Sequence, residues 1–485
     1  MNEPSLNSRP SGFSWADCVS PLDYRYYGPN ERLFARVHPY LSEAATLRYF
    51  LRVEAALARG LAATGVCTPE QAEEIARACD AVTFEEVHEE EQRTDHNIRA
   101  LVNCISRRVS PAARPYVHLG ATSSDVWDTA TALRLRDFTG DVLLPELLDL
   151  ERALIGLARE HRDTVQIGRT HGQHAVPITF GFAAALYVER VGGRIEAIRA
   201  ALEAQRGLLS GAVGAYNALS LIVPDPLELE RVVLAELGIA PARISTQIAP
   251  PEPLTDLAYA VISCLGVLAN LADDMRHLAR TEIGEVRERF LATQVGSSTM
   301  PHKQNPWNFE HVKSMWKEFA PRIVAVLSNQ ISEHQRDLTN TASTRFVPEI
   351  FVGFLDALDR TVGLVRSTGV NAERMRAHLD VARRMVVAEP LYIMLALRGV
   401  DHAHEIARKI SLEARGSGRS VLEIAASHPE AGPALTALSE AERRVLEAPE
   451  QHYIGLAARK VDGVCDYWER ALLLEPLAAA ASTAP

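Results

Sequence analysis

The segment Gly296 to Pro306, GSSTMPHKQNP, packs glycine, adjacent serines, threonine, two prolines, lysine and asparagine into one short stretch. A connection of this composition can turn several backbone N–H groups and two hydroxyls toward one point, while its prolines stiffen the far end. Lys303 and Asn305 stand two residues apart, so both can face a single bound anion. Backbone donors, hydroxyls and one cation together suit chemistry on a negatively charged small molecule.

Other candidate motifs carry less. His402 and His404 in DHAHE read as a turn before a helix and not as a metal pair. Gly207, Gly211 and Gly214 do not form a dinucleotide fingerprint, and neither a phosphate-binding GxxxxGK[ST] loop nor an HExxH pattern occurs. No metal and no organic cofactor is expected. The acidic run from Glu85 to Glu91 reads as a solvated face.

Composition narrows the class. The 485 residues carry a net charge of −11, with 23% charged, 47% hydrophobic and 6% aromatic residues. That mixture is too apolar for a disordered chain. The acidic balance argues against a broadly basic nucleic-acid surface, so an anionic ligand needs a local cluster of Arg and Lys. The six cysteines (Cys18, Cys67, Cys79, Cys104, Cys264 and Cys465) are dispersed without a CxxC pair, which fits reduced thiols in a cytoplasmic protein. The N-terminal MNEPSLNSRPSGFSW has no apolar signal region, and no uncharged apolar stretch of about 18 residues predicts a membrane span.

Helices must position these residues. From Leu254 the apolar residues Leu257, Val261, Leu265, Leu268, Leu271, Met275 and Leu278 follow in steps of three and four. A helix over that pattern is roughly 38 Å long. Similar patterns cover Val142–Leu157, Phe180 to about Leu202, and the stretch from Trp307 to about Ile331. Alternating runs are scarce, so strands are expected to be few. Long helices that are apolar nearly all round pack side by side and meet partner subunits, which predicts a central bundle in a homo-oligomer. Breaks at Ser110–Pro115 and Arg366–Asn371 divide the chain into an N-terminal helical domain (1–115), a central long-helix domain (116–365) and a C-terminal helical domain (366–485). Asn371 is positioned to cap the helix that opens with AERM, and residues 1–14 and the C-terminal tail are expected to be disordered.

The loop 296–306 resembles the signature GSSxMPxKxNP of the fumarase/aspartase superfamily. VHLGATSSDVWDTA (117–130), GRTHGQHAVPITFG (168–181) and RTEIGEVRERF (280–290) resemble that family's other motifs in the same order, and their detail is most similar to the adenylosuccinate lyases. The resemblance implies an all-α, three-domain subunit and a homotetramer built on a helical bundle, with active sites shared among three subunits. It also implies elimination of a nitrogen group from a small anionic succinyl compound to give fumarate. By the same resemblance Ser297 is the base and His171 the general acid, with Glu310 orienting the histidine. Lys303 and Asn305 bear on the dianion that develops. A serine is a weak base unless its alkoxide is stabilised, which the loop's N–H groups and Lys303 can do. Thr122, Ser123 and Gln247 are implied contacts of the succinyl portion, and Thr170, Gln173, Ser298 and Asn97 are further implied substrate contacts. Arg25, Tyr26 and His96 are implied contacts of a nucleotide phosphate, with Arg336, Thr341 and Arg345 as the remaining clamp.

Three positions depart from the pattern. Asn97 follows His96 where aspartate is common, Leu208 stands at a lysine position, and Asn340–Thr341 replaces Asp–Ser. By the resemblance, all three fall in regions expected to recognise the rest of the substrate. Retained Arg25, Tyr26, Arg336 and Arg345 favour a nucleotide leaving group, as in adenylosuccinate cleavage. Asn97 and Leu208 favour a small one, such as nitrite from nitrosuccinate. A non-catalytic oligomer that kept the fold is the reading from another class, and intact Ser297, Lys303, Asn305 and His171 weigh against it.

Overall fold

A computed structural model describes residues 18–290 and 296–474. The chain is 69% helical with few, short strands. The disorder expected for residues 1–14 and for the tail falls outside the described residues.

The long apolar patterns became long helices. Glu252–Leu278 spans 27 residues, and its Leu257, Val261, Leu265 and Leu268 are fully buried. By length and composition alone it can cross a bilayer, contrary to the expectation that no segment could. However, 67% of its most apolar window is buried within the chain, as in the core helix of a globular protein. Phe180–Glu203 begins where Thr179 Oγ1 accepts the Phe182 N–H at 3.1 Å. Leu144–Glu160 continues from a π turn over Thr139–Leu143. The fourth pattern ends earlier than expected. Trp307–Phe319 stops at a 3-10 turn over Ala320–Arg322, and only Ile323–Ser328 resumes the helix. Pro321 is the cause, because it removes one helical N–H and crowds the preceding turn. Asn371 caps Ala372–Val386 as expected, accepting the Arg374 N–H at 3.0 Å.

The chain folds into two compact units, each assembled from three separate stretches of sequence. One comprises 1–147, 194–266 and 314–359, the other 148–193, 267–313 and 360–485, and the boundaries fall inside long helices. The first unit holds an apolar core built around Phe50, Leu57, Leu61, Ile98, Leu101, Ile105 and Leu133. In the same unit Glu90 departs from the solvated face expected of the acidic run. It is 4% exposed, and its carboxylate receives Asn103 Nδ2 at 2.7 Å and Arg107 at 2.9 Å. The second unit has a separate core including Leu391, Leu395, Ile410, Val421 and Ile424. It also contains the antiparallel hairpin Val165–Thr170 and Gln173–Thr179.

Within the second unit Glu151 is fully buried, and neither carboxyl oxygen has a hydrogen-bond partner among the described residues. Burial, and secondly the Glu189 carboxylate, pushes its pKa up to about 9. Glu189 is itself held by Trp468 Nε1 at 2.8 Å. A carboxyl with a folded-state pKa above its unfolded value binds more protons when folded, so stability falls as pH rises between about 4.5 and about 9. Glu151→Gln removes that loss. Its thermal unfolding midpoint is expected to exceed that of the parent clearly at pH 8 and little at pH 5. An equal change at both values contradicts the assignment.

Candidate active site

Four residues of the first unit converge. Gln247 Nε2 donates to Thr122 Oγ1 at 3.3 Å, while its Oε1 accepts from Arg336 at 3.3 Å. Arg336 also donates to Ser124 Oγ. The cluster therefore presents a guanidinium, two hydroxyls and an amide, the donor set that a carboxylate requires. Ser123 follows Thr122 as the first residue of the helix Ser123–Phe138.

Asp125 holds this arrangement together. Its fully buried carboxylate accepts the N–H of Thr122 at 2.8 Å, of Ser210 at 2.9 Å and of Gly211 at 3.2 Å. Burial raises its pKa, and the three backbone donors oppose the rise. Two neighbouring groups escaped the sequence reading. Asp128, one helical turn beyond Ser124, accepts the Ala249 N–H at 2.9 Å, and burial pushes it up to about 6 against that N–H and Arg336. His118 takes a left-handed backbone with φ +58° and pairs through Nδ1 with the buried Glu54 at 2.6 Å. Burial opposes its protonation, but Glu54 prevails and raises the pKa. Both lie inside the motif 117–130, and their place in it was the only signal for either.

The remaining predicted contacts sit on three other elements. Arg25 and Tyr26 lie in the π turn Leu22–Tyr27, with the Arg25 guanidinium 5.4 Å from the Tyr24 ring centre. His96 caps the helix Asn97–Arg107, its Nδ1 accepting the Arg99 N–H at 3.2 Å, so the neutral ring carries its proton on Nε2. Asn97 Oδ1 accepts the Ile98 N–H at 2.7 Å. Thr341 and Arg345, both exposed, open and close the short helix Thr341–Arg345. Two departures have local reasons. Asn340 donates to the carbonyls of Asn329 and Ile331 at 2.9 and 3.0 Å, which an aspartate cannot do. Leu208 is 1% exposed, and both its N–H and its carbonyl bond Thr129 Oγ1 at 3.0 Å.

In the second unit the signature loop is a pinned turn. Ser297 Oγ accepts the N–H groups of Thr299 at 3.3 Å and Met300 at 3.1 Å. Asn305 donates to the Gly296 carbonyl at 2.8 Å, so one amide hydrogen closes the loop in place of facing an anion. Gly296 is obligatory, since a Cβ there would lie 2.1 Å from the Lys303 carbonyl. Ser298 and Lys303 are exposed. Glu310, also exposed, lies on the first turn of Trp307–Phe319. The loop does not follow the helix Glu252–Leu278 directly. Residues 281–290 intervene, with Val286–Arg287 pairing antiparallel to Gly369–Val370.

His171 occupies the tip of the hairpin. Thr170 pairs with Gln173, leaving His171 and Gly172 as the connecting residues with φ +54° and +74°. Positive φ at both positions is the signature of a type I′ turn, which suits glycine second and turns the first side chain outward. Thr170, His171 and Gln173 are all exposed. No described hydrogen bond joins His171 to Glu310.

A family model described as lyase matches residues 24–318. The chain belongs to this lyase family, within the fumarase/aspartase superfamily. The lyase is 36% identical over 458 residues to the adenylosuccinate lyase of Pyrococcus horikoshii, covering 93% of this chain and 98% of that one. It is 30% identical to the N-acetyl-S-(2-succino)cysteine lyase of Dickeya dadantii, over 88% and 93% of the two chains. Its fold matches the 3-carboxy-cis,cis-muconate lactonizing enzyme of Pseudomonas putida with a TM-score of 0.80 at 26% identity, over 93% and 99% of the chains. The fold therefore serves more than one reaction, and the leaving group must be argued from the site.

Proposed function

We propose that this lyase cleaves the C–N bond of an N-substituted succinate to release fumarate, with adenylosuccinate as its principal substrate and AMP as the second product. The observation that carries the reading is the pair of backbone N–H groups converging on Ser297 Oγ. They favour the alkoxide that a serine needs to act as a base. Ser297 takes the proton from the carbon beside the succinyl carboxylate. The C–N bond then breaks with its electron pair on nitrogen, and His171 delivers a proton there. Lys303 offsets the charge that gathers on the carboxylate, and Glu310 orients His171. Thr122, Ser123, Gln247 and Arg336 hold the succinyl carboxylates. Arg25, Tyr26, His96, Thr341 and Arg345 take the nucleotide phosphate. Proton transfer and electrostatics complete this reaction without a cofactor.

A cytoplasmic homotetramer is part of this reading, with sites drawn from three subunits and the chain retaining its three-part division. Phe182 and Leu186, one turn apart on Phe180–Glu203, are 38% and 54% exposed, as befits a helix face that meets another subunit. Light scattering should give four times the 53.3 kDa chain mass.

The buried Leu208 favours a second reading, because no cation at that position meets a phosphate. A smaller leaving group then replaces AMP: nitrite from nitrosuccinate, or a thiol like that of the Dickeya relative. Fumarate release from adenylosuccinate, nitrosuccinate and N-acetyl-S-(2-succino)cysteine, compared at equal concentration, separates the readings. The highest kcat/KM is expected for adenylosuccinate. A higher value for either of the others transfers the assignment to it.

A further inference from the structure

A two-stranded hairpin in water is marginal by itself, so something must hold the hairpin that carries His171. Arg169, two residues before His171, places its guanidinium on Glu285 with contacts of 2.6 Å to Oε1 and 3.0 Å to Oε2. Gln166, on the same strand, donates to Glu285 Oε2 at 2.8 Å. His378, from the helix Ala372–Val386, approaches Glu285 Oε1 through Nδ1 at 2.6 Å. Glu285 is fully buried, so its carboxylate depends on these donors for the hydration it has lost.

The Glu285 main chain is fixed as firmly. Its N–H donates to the Leu278 carbonyl at 3.0 Å, and its carbonyl accepts from Asn371 N at 2.9 Å. Three residues on, Glu288 accepts the N–H of Phe309 at 2.7 Å and the Asn308 amide at 3.0 Å. It thereby caps the helix that carries Glu310 and follows the signature loop. One short segment, 285–288, thus grips the histidine hairpin on one side and the root of the signature element on the other.

We infer that Glu285 is a positioning residue for the elimination: through Arg169 it fixes the hairpin that aims His171, resting on the assignment of His171 as the proton donor. Burial alone would raise the Glu285 pKa, but the hydrogen bonds from Arg169, Gln166 and His378 hold it below the ordinary value, consistent with a permanent anion. A neutral amide in its place leaves Arg169 uncompensated and offers an N–H₂ to a donor. A lysine in place of Arg169 keeps the charge but loses the two-pronged grip.

The test compares Glu285→Gln and Arg169→Lys, each alone and in a His171→Ala background, with thermal midpoint and assembly size confirming the fold. Arg169→Lys remains informative should Glu285→Gln misfold. Each single variant should lower kcat by roughly 10–100-fold, the scale of a misplaced catalytic group, while KM stays within about threefold. In the His171→Ala background the same changes should lower the residual rate by less than about threefold, because the group they aim is gone. Full, additive losses in that background overturn the inference, as does a rise in KM at unchanged kcat. A His171→Ala enzyme that turns over normally overturns the proton-donor assignment and this inference with it. That outcome is read from the single variant alone.

Discussion

Ser297→Ala is expected to lower kcat for fumarate release by at least about 10³-fold, within the span that positioned acid–base groups contribute. The carbon acid beside a carboxylate is weak, and its anion places further charge next to one already present. A base of ordinary serine strength cannot remove that proton at a useful rate. The Thr299 and Met300 N–H groups already point at Oγ in the resting loop, so the alkoxide gains two hydrogen bonds without reorganisation. Removing Oγ abolishes the base but leaves the loop closed by Asn305 on Gly296. Substrate affinity and thermal midpoint should therefore change little. A rate within tenfold of the parent would remove Ser297 from the base role.

Asp125→Asn should damage the protein nearly as much as Asp125→Ala, although it is isosteric. Both carboxylate oxygens accept: Oδ2 from Thr122 and Gly211, Oδ1 from Ser210. An amide nitrogen at either position turns a donor against a donor and strands a buried N–H. Each such loss costs roughly 1–3 kcal/mol, and removal of the negative charge adds to it. Thr122 and the 208–214 turn then lose their common anchor, and with them the Gln247–Arg336 cluster loses its register. Both variants are expected to lower the thermal midpoint by several degrees and to raise KM by at least about tenfold. A stable Asp125→Asn with parental KM would contradict the anchoring role.

The sequence was most legible where a repeating period or a dense motif carried the information. The helix Glu252–Leu278 follows from uninterrupted apolar steps, and the Ser297 loop from unusual residues set close together. The Trp307 pattern misled only past Pro321, a breaker visible in the sequence but outweighed there by the apolar spacing. The hairpin was missed because its strands are short and its turn, His171–Gly172, lacks the Asn-Gly or Asp-Gly pair that announces a type I′ turn. Least legible was the Glu285 centre, since Arg169 and His378 lie 116 and 93 residues away. No local pattern encodes such a meeting. Glu90 failed for the same reason: its neighbours in sequence are solvated acids, and only the fold brings Asn103 and Arg107 to it.

The central claim is elimination of fumarate from adenylosuccinate at the Ser297 loop. Its most direct test is to follow fumarate and AMP together from purified protein and adenylosuccinate, without added metal or cofactor. Equal amounts of the two products, formed by the parent and essentially not by Ser297→Ala, are the predicted result. Absence of both products from adenylosuccinate, with fumarate still released from nitrosuccinate or a succinylated thiol, would contradict the nucleotide assignment. Absence of fumarate from every succinyl compound would contradict the lyase mechanism itself.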